Sequence, residues 1–594
     1  MPTIKQLELM ANKLRIHSLE STTEAGSGHA TSSLSCAEIM SCLFFSVLGK
    51  NDEFVLSKGH AAPILWAALA EAGCFPREEL KNLRKLGSFL EGHPTARIPW
   101  VRVATGSLGQ GLSAGVGMAL AKKLKKEKGK IFVLLGDGEC AEGSVWEAAN
   151  AAAYHCLDNI LAIIDVNRLG QSGETMHGHN LEKYKKKFEA FGWQAVIAKG
   201  HSVKEILSAF RKADKTKKPF IIIAKTIKGK GVSFLENKEG WHGKALKKDE
   251  LEKALQEIGK ANITLPSKFE CPKKLDYKFF DFKLNDYKLG EAVSTREAYG
   301  RALVNLGKAN KDAVVIDGDV KNSTMTEYFF KEFPERSFQS FIAEQNMAGM
   351  AVGFSAMGLN PYVATFSAFL SRAHDFIRMA NYSFANIKFA GSHSGISIGQ
   401  DGPSQMGLED IPIFLNIPGA IVLYPSDAVS AEYLLKETAK FKGISYLRTT
   451  REKTKVIYDN GEKFPVGSFK IWKNEKEDKA LVIAAGVTLH EALKAQDILL
   501  KEKNISIRVI DLYSLAPLDS EALIKEAQAC QNNVIVVEDH YCSALGFVVS
   551  AALGKIKNLC VKKMPESGKP EELMGKYGID ASAIIKAVSD TTRQ

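Results

Sequence analysis

Apolar runs of strand length, separated by segments of helix length, constrain this chain more than any other feature. Ile131–Leu135 reads IFVLL, Ile160–Asp165 reads ILAIID and Phe220–Ala224 reads FIIIA. A strand with one wet face alternates apolar and polar residues, so a strand without alternation must be covered on both faces. Crossover helices supply that cover, and the pattern therefore calls for parallel sheets. Ala313–Ile316 (AVVI), Phe338–Ile342 (FQSFI), Pro361–Ala364 (PYVA) and Ile387–Ala390 (IKFA) form a second set, with a helix expected over Asn346–Met357. LVIAAG at 481–486, IRVIDL at 507–512 and VIVVED at 534–539 form a third. The expectation is three doubly wound α/β domains, at 1–250, 293–455 and 479–594. The lysine-rich, aromatic stretch 251–292 and the shorter 456–478, which contains most of WKNEKEDK, read as linkers.

Several classes are set aside by composition. The nine cysteines include no CxxC pair and their number is odd, so neither a disulfide framework nor a structural zinc site is expected, and a reducing compartment fits best. The first twenty residues interleave charge with Leu and Ile and lack the apolar core of a signal peptide. No apolar run reaches the length of a membrane span, which points to a cytoplasmic protein. The net charge of +11 comes from lysine runs such as KKLKKEKGK at 122–130 and Lys185–Lys187, the pattern of solvated helix faces. No nucleic-acid-binding signature accompanies it, so no nucleic-acid partner is expected. A mild attraction for small anionic substrates fits the same excess.

The most informative segment is Ile131–Asn167. Gly136-Asp137-Gly138-Glu139-Cys140-Ala141 sits between a strand and a helix and matches G-x-G-x-x-A, with Asp165 ending the next strand. A dinucleotide site therefore competes. Asp137 argues against it, because a carboxylate placed where the backbone approaches a pyrophosphate repels it unless a divalent cation stands between. With Mg²⁺ or Ca²⁺ there, Asp137 and the amide carbonyl of Asn167 become oxygen ligands, and few protein ligands plus phosphate oxygens is the usual way to hold Mg²⁺. A glycine-rich turn with no ligand is the plain alternative.

Further motifs surround this turn in order: SGHAT at 27–31, LSKGHAAP at 56–63, EGHP at 91–94, ATGSLGQGL at 104–112, KTIKGKG at 225–231 and WHGK at 241–244. DGDVKNST at 317–324, IAEQNMAG at 342–349, GSHSG at 391–395 and IGQDGPSQM at 398–406 follow, then Glu538-Asp539-His540 and SGKP at 567–570. Each is weak alone. Together and in order they resemble the transketolase family, in its animal-type variant, over nearly the whole chain. The resemblance implies two thiamine diphosphate-binding-fold domains, one for the diphosphate and one for the pyrimidine, followed by a C-terminal α/β domain.

The resemblance also implies residue roles. Asp137, Asn167 and the backbone carbonyl of Leu169 would bind the metal. Gly106, Ser107, Leu108, Gly138 and Lys228 would border the cofactor, as would Ser32, His60 and Gln405. Gln405 departs from the histidine of many relatives, which puts a titrating role there in doubt. Among thirteen histidines, five stand in short glycine-flanked motifs. Neutral imidazoles converging on a cleft suit a polyhydroxy substrate, because each can donate, accept or shuttle a proton. His29 and His242 would handle hydroxyl protons, with His242 also touching the diphosphate. His93 would face the reacting carbons, and His393 would bind substrate. Glu344, at the end of the strand-like FQSFIA, would share a proton with the aminopyrimidine ring, a task suited to a buried carboxyl. Phe366 and Phe369 would pack on that ring, with Phe369 in direct contact. Arg296, Ser323 and Arg451 would clamp the sugar phosphate, since guanidinium forks suit phosphate dianions. Asp401 would hydrogen-bond a substrate hydroxyl.

The implied activity is transfer of a two-carbon ketol unit from a ketose phosphate to an aldose phosphate in the pentose phosphate pathway, with thiamine diphosphate as electron sink. The implied assembly is a homodimer with shared active sites. Competing readings are a deoxyxylulose-phosphate or dihydroxyacetone synthase, and a silent transketolase-like regulatory subunit. The set His29, His93 and Arg451 weighs against the synthases, and intact Glu344, Asp137, Asn167 and His242 weigh against silence. No group in the C-terminal domain reads as catalytic; dimer contact is its expected role.

Overall fold

The structure, a computed structural model, describes all residues except 1, 273, 274, 276, 473–476, 593 and 594. Two compact units are present. The first comprises Met1–Asp276 with Ala348–Gly358 and Asp375–Ala385; the second comprises Tyr277–Met347, Leu359–His374 and Asn386–Gln594.

The first unit is built on a five-stranded sheet: β1 (Glu53–Leu56), β2 (Ile131–Gly136), β3 (Ile160–Val166), β4 (Gln194–Lys199) and β5 (Phe220–Lys225). Their spatial order is β1-β2-β3-β5-β4, and every pairing is parallel. Every residue of β2 and β3 is buried, the outcome demanded by runs without alternation. The N-terminal helix Ile4–Glu24 starts at a capping box, in which Thr3 accepts from the Gln6 N–H and the Gln6 side chain accepts from the Thr3 N–H. Its buried residues Leu7, Met10, Ala11 and Leu14 join a core that continues through Trp66, Phe132 and Phe220.

The second unit holds two larger sheets. Its first strands are β6 (Ala292–Ser294), β7 (Ala313–Asp317), β8 (Ser337–Gln339), β9 (Asn360–Phe366) and β10 (Lys388–Ser392). Then come β11 (Ile421–Leu423), β12 (Ser445–Arg448), β13 (Lys453–Lys455) and β14 (Lys470–Trp472). The last are β15 (Leu481–Ala484), β16 (Arg508–Asp511), β17 (Ser514–Ala516), β18 (Val534–Val537) and β19 (Lys557–Leu559). The middle sheet runs β17-β11-β12-β10-β9-β7-β8 and the C-terminal sheet β14-β16-β15-β18-β19, while β6 and β13 form a separate antiparallel pair. Parallel pairing dominates both larger sheets, with β17 and β14 as antiparallel edges. The expected α/β class with parallel sheets is borne out. One strand crosses over: β17 follows β16 in the chain yet pairs with β11, through Val422–Ala516 and Leu423–Ser514.

Four expectations differ from the structure. Cys74 and Cys271 form a disulfide, with Cα atoms 5.8 Å apart. Their 197-residue separation is why CxxC counting missed them, and the argument for a reducing compartment loses that support. The stretch read as a linker from residue 251 begins inside a helix, Lys248–Ile258, whose Ala254 is buried. The strand around Phe338 ends at Gln339, and Glu344 instead opens the helix Glu344–Ala356. Within the second expected linker, β14 is a strand, and residues 473–476 lie outside the described residues. Among the described residues, no helix is long and apolar enough to cross a membrane.

Candidate functional site

In an open parallel sheet, loops at the carboxyl ends of the strands form the natural crevice. The first unit follows that rule. Asp137 follows β2, Asn167 and Leu169 follow β3, Lys228 follows β5 and Lys58 follows β1. Together with His29, His60, His93, Gly106, Leu108, Gly138 and His242 they line one cavity of about 370 Å³. Eleven of the thirteen residues expected in this unit are therefore brought together. Ser32 lies beneath, its carbonyl accepting from Lys58 Nζ at 3.0 Å. Ser107 turns aside, its hydroxyl donating to Asp375 at 2.5 Å.

The four histidines come from separate loops and form one cluster. The His29 ring centroid lies 5.4 Å from His60, 5.6 Å from His93 and 4.9 Å from His242. Burial, then the neighbouring His242, brings His29 down to about 3; burial, then Lys228, brings His242 to about 4. Burial also lowers His60 and His93. All four are therefore neutral near pH 7 and able to donate and accept. Lys228 Nζ donates to the Leu169 and Gly170 carbonyls at 2.7 and 3.0 Å, and lies 2.8 Å from His242 Nδ1. With the ammonium donating, Nδ1 accepts and the imidazole proton resides on Nε2.

The loops are held by two buried carboxylates. Fully enclosed Asp165 pairs with Lys58 and accepts from Ser35 at 2.6 Å, Thr226 at 2.5 Å and Asn167 Nδ2 at 3.0 Å. These contacts hold its carboxyl below the usual range despite burial. Asp165 is thus a counter-ion, saturated and out of reach of a ribose, which removes the dinucleotide alternative. It also orients Asn167, because an acceptor-only carboxylate takes the amide N–H, while Oδ1 accepts from the Leu169 N–H at 3.2 Å and keeps a second lone pair. Glu139 accepts from Ser57 Oγ at 2.5 Å, the Gly109 N–H at 2.9 Å and the Gly136 N–H at 3.0 Å, tying three turns together. Lys58 and Glu139 were not singled out from the sequence. The available signal was a charge placed directly after a fully buried strand.

Asp137 is 5% exposed, and burial followed by Asp165 lifts its carboxyl to about 6. It accepts from the Arg168 N–H at 2.7 Å, the Gly138 N–H at 2.9 Å and Thr175 at 3.1 Å, yet pairs with no lysine or arginine among the described residues. A buried carboxylate without a cation, beside an amide oxygen and the Leu169 carbonyl, is a hard-oxygen donor set suited to Mg²⁺ or Ca²⁺. Ser32 Oγ and His29 Nδ1 are buried without a hydrogen-bond partner. Such atoms await a polar ligand. The residues present therefore fit a metal and a polar organic cofactor.

The second unit gathers the remaining expected residues. Glu344 is 3% exposed, with Arg372 Nη1 3.4 Å from its carboxylate. Phe366 stacks on Phe369 at 5.3 Å and on His393 at 3.9 Å. His393 occupies the left-handed region (φ 57°), and its Nδ1 lies 2.9 Å from Ser392 Oγ. Arg296 Nη1 donates to the Ser323 carbonyl at 2.8 Å, while its Nε is buried without a partner. Burial and the nearby Arg451 charge lower Arg296; burial, then Arg296 and Arg451, bring His393 to about 3. Arg451 pairs with Asp401 at 2.6 Å. Gln405 lies in the short turn Pro403–Gln405 on the same loop as Asp401. The Arg296 and Arg451 guanidinium groups act on each other and on the neutral His393 imidazole, a cationic cluster with one Nε unpaired that favours a dianion.

Comparison with known proteins gives the family. Three family models match: "Transketolase, thiamine diphosphate binding domain" over residues 6–327, "Transketolase, pyrimidine binding domain" over 291–456 and "Transketolase, C-terminal domain" over 470–584. The chain is 47% identical to the Homo sapiens protein named transketolase, over 98% of this chain and 97% of that one. It is also 47% identical to Mus musculus transketolase-like protein 2, over 99% and 98%. Among solved structures, Campylobacter jejuni transketolase matches with a TM-score of 0.87 and 26% identity, covering 99% of this chain and 100% of that one.

Proposed function

The chain belongs to the transketolase family of glycolaldehyde transferases, and from that premise we propose how its two residue clusters divide the work. The substrates are a ketose phosphate such as xylulose 5-phosphate and an aldose phosphate such as ribose 5-phosphate or erythrose 4-phosphate, as in the pentose phosphate pathway. Thiamine diphosphate, when bound, supplies the electron sink for cleavage of the C2–C3 bond. Asp137, Asn167 and the Leu169 carbonyl would hold Mg²⁺ or Ca²⁺ beside the diphosphate, with Gly106 and Gly138 allowing close backbone approach and Leu108 bordering the cofactor. Lys228, whose ammonium donates to the Leu169 and Gly170 carbonyls, would border the same diphosphate as a positive charge.

Glu344 would share a proton with the pyrimidine N1′, and Phe366 and Phe369 would supply the aromatic surface for that ring. His29 and His242 take and return substrate hydroxyl protons, a role suited to imidazoles that are neutral at working pH. Arg296, Arg451 and His393 receive the phosphate. The two clusters meet in a homodimer, each cofactor spanning the histidine cavity of one subunit and the Glu344 cluster of its partner.

The observation that carries this reading is the convergence of four neutral histidines and the cation-free Asp137 on one cavity. A coupled assay with xylulose 5-phosphate and ribose 5-phosphate, run with and without thiamine diphosphate and Mg²⁺, tests it. Cofactor-dependent turnover is expected. Cofactor binding without turnover would favour a silent subunit.

A further inference from the structure

The C-terminal sheet contributes no residue to either cluster, and two of its motifs, Glu538-Asp539-His540 and Ser567–Pro570, are left without a role. Both lie against one loop of the same unit. That loop, residues 393–407, begins with His393 and carries Asp401 and Gln405. Its stem is closed by the Gly395 N–H donating to the Gly407 carbonyl at 2.8 Å. Along its flanks, Ile396, Ile398, Met406 and Leu408 are buried in the core of the C-terminal sheet, beside Val482 and Leu573.

Charge fixes the stem. Arg448, fully enclosed at the end of β12, donates from Nη2 to the Gly407 carbonyl at 3.0 Å, from Nε to Asp410 at 2.9 Å and from Nη1 to Asp539 at 3.0 Å. Asp539 also accepts from Tyr424 Oη at 3.1 Å. Gly395 sits at φ 76°, and a Cβ there would collide with the Asp539 carboxylate. Sterics fix the tip. At Gly402 (φ 83°) a Cβ would fall 2.6 Å from Ser567 Oγ, and at Gly399 it would fall 3.1 Å from the Gly568 carbonyl. A buried ion pair adds little net stability compared with apolar packing of equal volume. A planar guanidinium with three fixed partners does set geometry. The cluster is thus suited to holding the loop in place more than to holding the fold together.

We propose that the C-terminal sheet is the scaffold that sets the substrate loop 393–407, with Asp539 as its positioning residue at the stem and Ser567 as its stop at the tip. This rests on the reading of His393 and Asp401 as sugar-phosphate contacts. Two variants test it. Asp539→Asn keeps the volume and removes the charge facing Arg448. Ser567→Leu enlarges an exposed side chain against Gly402 and spares the core.

In each folded variant, KM for the phosphorylated donor should rise about tenfold or more while kcat changes less than about threefold. Thiamine diphosphate affinity should hold, and amide exchange should quicken over 393–407 but not around Asp137. A merely structural role would lower stability throughout without splitting KM from kcat. Should Asp539→Asn fail to fold, Ser567→Leu decides alone. Unchanged KM and unchanged exchange, with wild-type turnover present, overturn this inference and leave the functional reading intact. Absence of wild-type turnover overturns both.

Discussion

The Arg451 guanidinium is bonded to the Asp401 carboxylate at 2.6 Å, and both side chains are 42% exposed. A pair so open to water is worth ~0–1 kcal/mol, so it can open at little cost. A phosphate dianion offers the same guanidinium two parallel charge-assisted bonds. Arg296 waits beside it with Nε unpaired. On the proposed function the pair is a latch, and substrate phosphate frees Asp401 to meet a sugar hydroxyl.

Arg451→Ala should therefore harm phosphorylated substrates selectively. Truncating one partner of a charge-assisted contact costs about 2–5 kcal/mol. That corresponds to about 30- to 4,000-fold in kcat/KM. Donors and acceptors without phosphate, such as hydroxypyruvate and glycolaldehyde, should lose little. The deciding quantity is the ratio of kcat/KM for phosphorylated and unphosphorylated donors. An unchanged ratio would make Arg451 a structural arginine.

Glu344→Gln should retain most cofactor affinity and lose about 10²–10⁴-fold in turnover, the usual scale for a general acid–base group. A glutamine amide can hydrogen-bond the pyrimidine nitrogen but cannot exchange a proton with it. Proton exchange at the thiazolium C2, followed by NMR, is the direct measure. Exchange at the wild-type rate in the variant would remove Glu344 from this role.

Asp137→Ala should abolish the stabilisation conferred by thiamine diphosphate with Mg²⁺. In wild type, binding to the folded state should stabilise it by about 2.7 kcal/mol at a hundredfold excess over Kd, and so raise the melting temperature. Chelation should reverse that shift and stop turnover together. A wild-type shift that survives exhaustive chelation would rule out the metal assignment.

Mixing inactive Asp137→Ala and Glu344→Ala proteins should regenerate activity once subunits exchange, because one of the two mixed sites then carries both intact residues. Native mass spectrometry would establish the heterodimers. Heterodimers without activity would place Asp137 and Glu344 in one subunit's site.

Acid should weaken the fold through His393. Burial, with Arg296 and Arg451 facing it, lowers its value from 6.5 to about 3. Between those values the unfolded chain binds more protons than the folded one, so this stability is complete above 6.5 and is lost as pH falls. His393→Gln should therefore lose less thermal stability than wild type between about pH 7.5 and about pH 5. Equal losses in the two proteins would show that the folded imidazole titrates normally.

Features that depend on neighbours in the chain were legible before folding. Runs such as ILAIID, with no polar face, could only be buried strands, and β3 is buried along its whole length. The carboxylate inside Gly136-Asp137-Gly138 and the amide of Asn167, one strand later, pointed to a metal–diphosphate site through side-chain type and spacing, with a dinucleotide turn and a ligand-free turn as its competitors. Which distant groups meet emerged only on folding. Four histidines from four loops face one cavity, and Asp165, legible as a strand-end acid, belongs to Lys58. Cys74 pairs across 197 residues, β17 leaves its neighbour β16 for another sheet, and the loop carrying Asp401 is anchored in the C-terminal core. The physical reason is common to all of these. Secondary structure and turn chemistry are set by local sterics and by the period of apolar side chains. A long-range partner is selected only when collapse buries a charge or an apolar surface that must then find its complement.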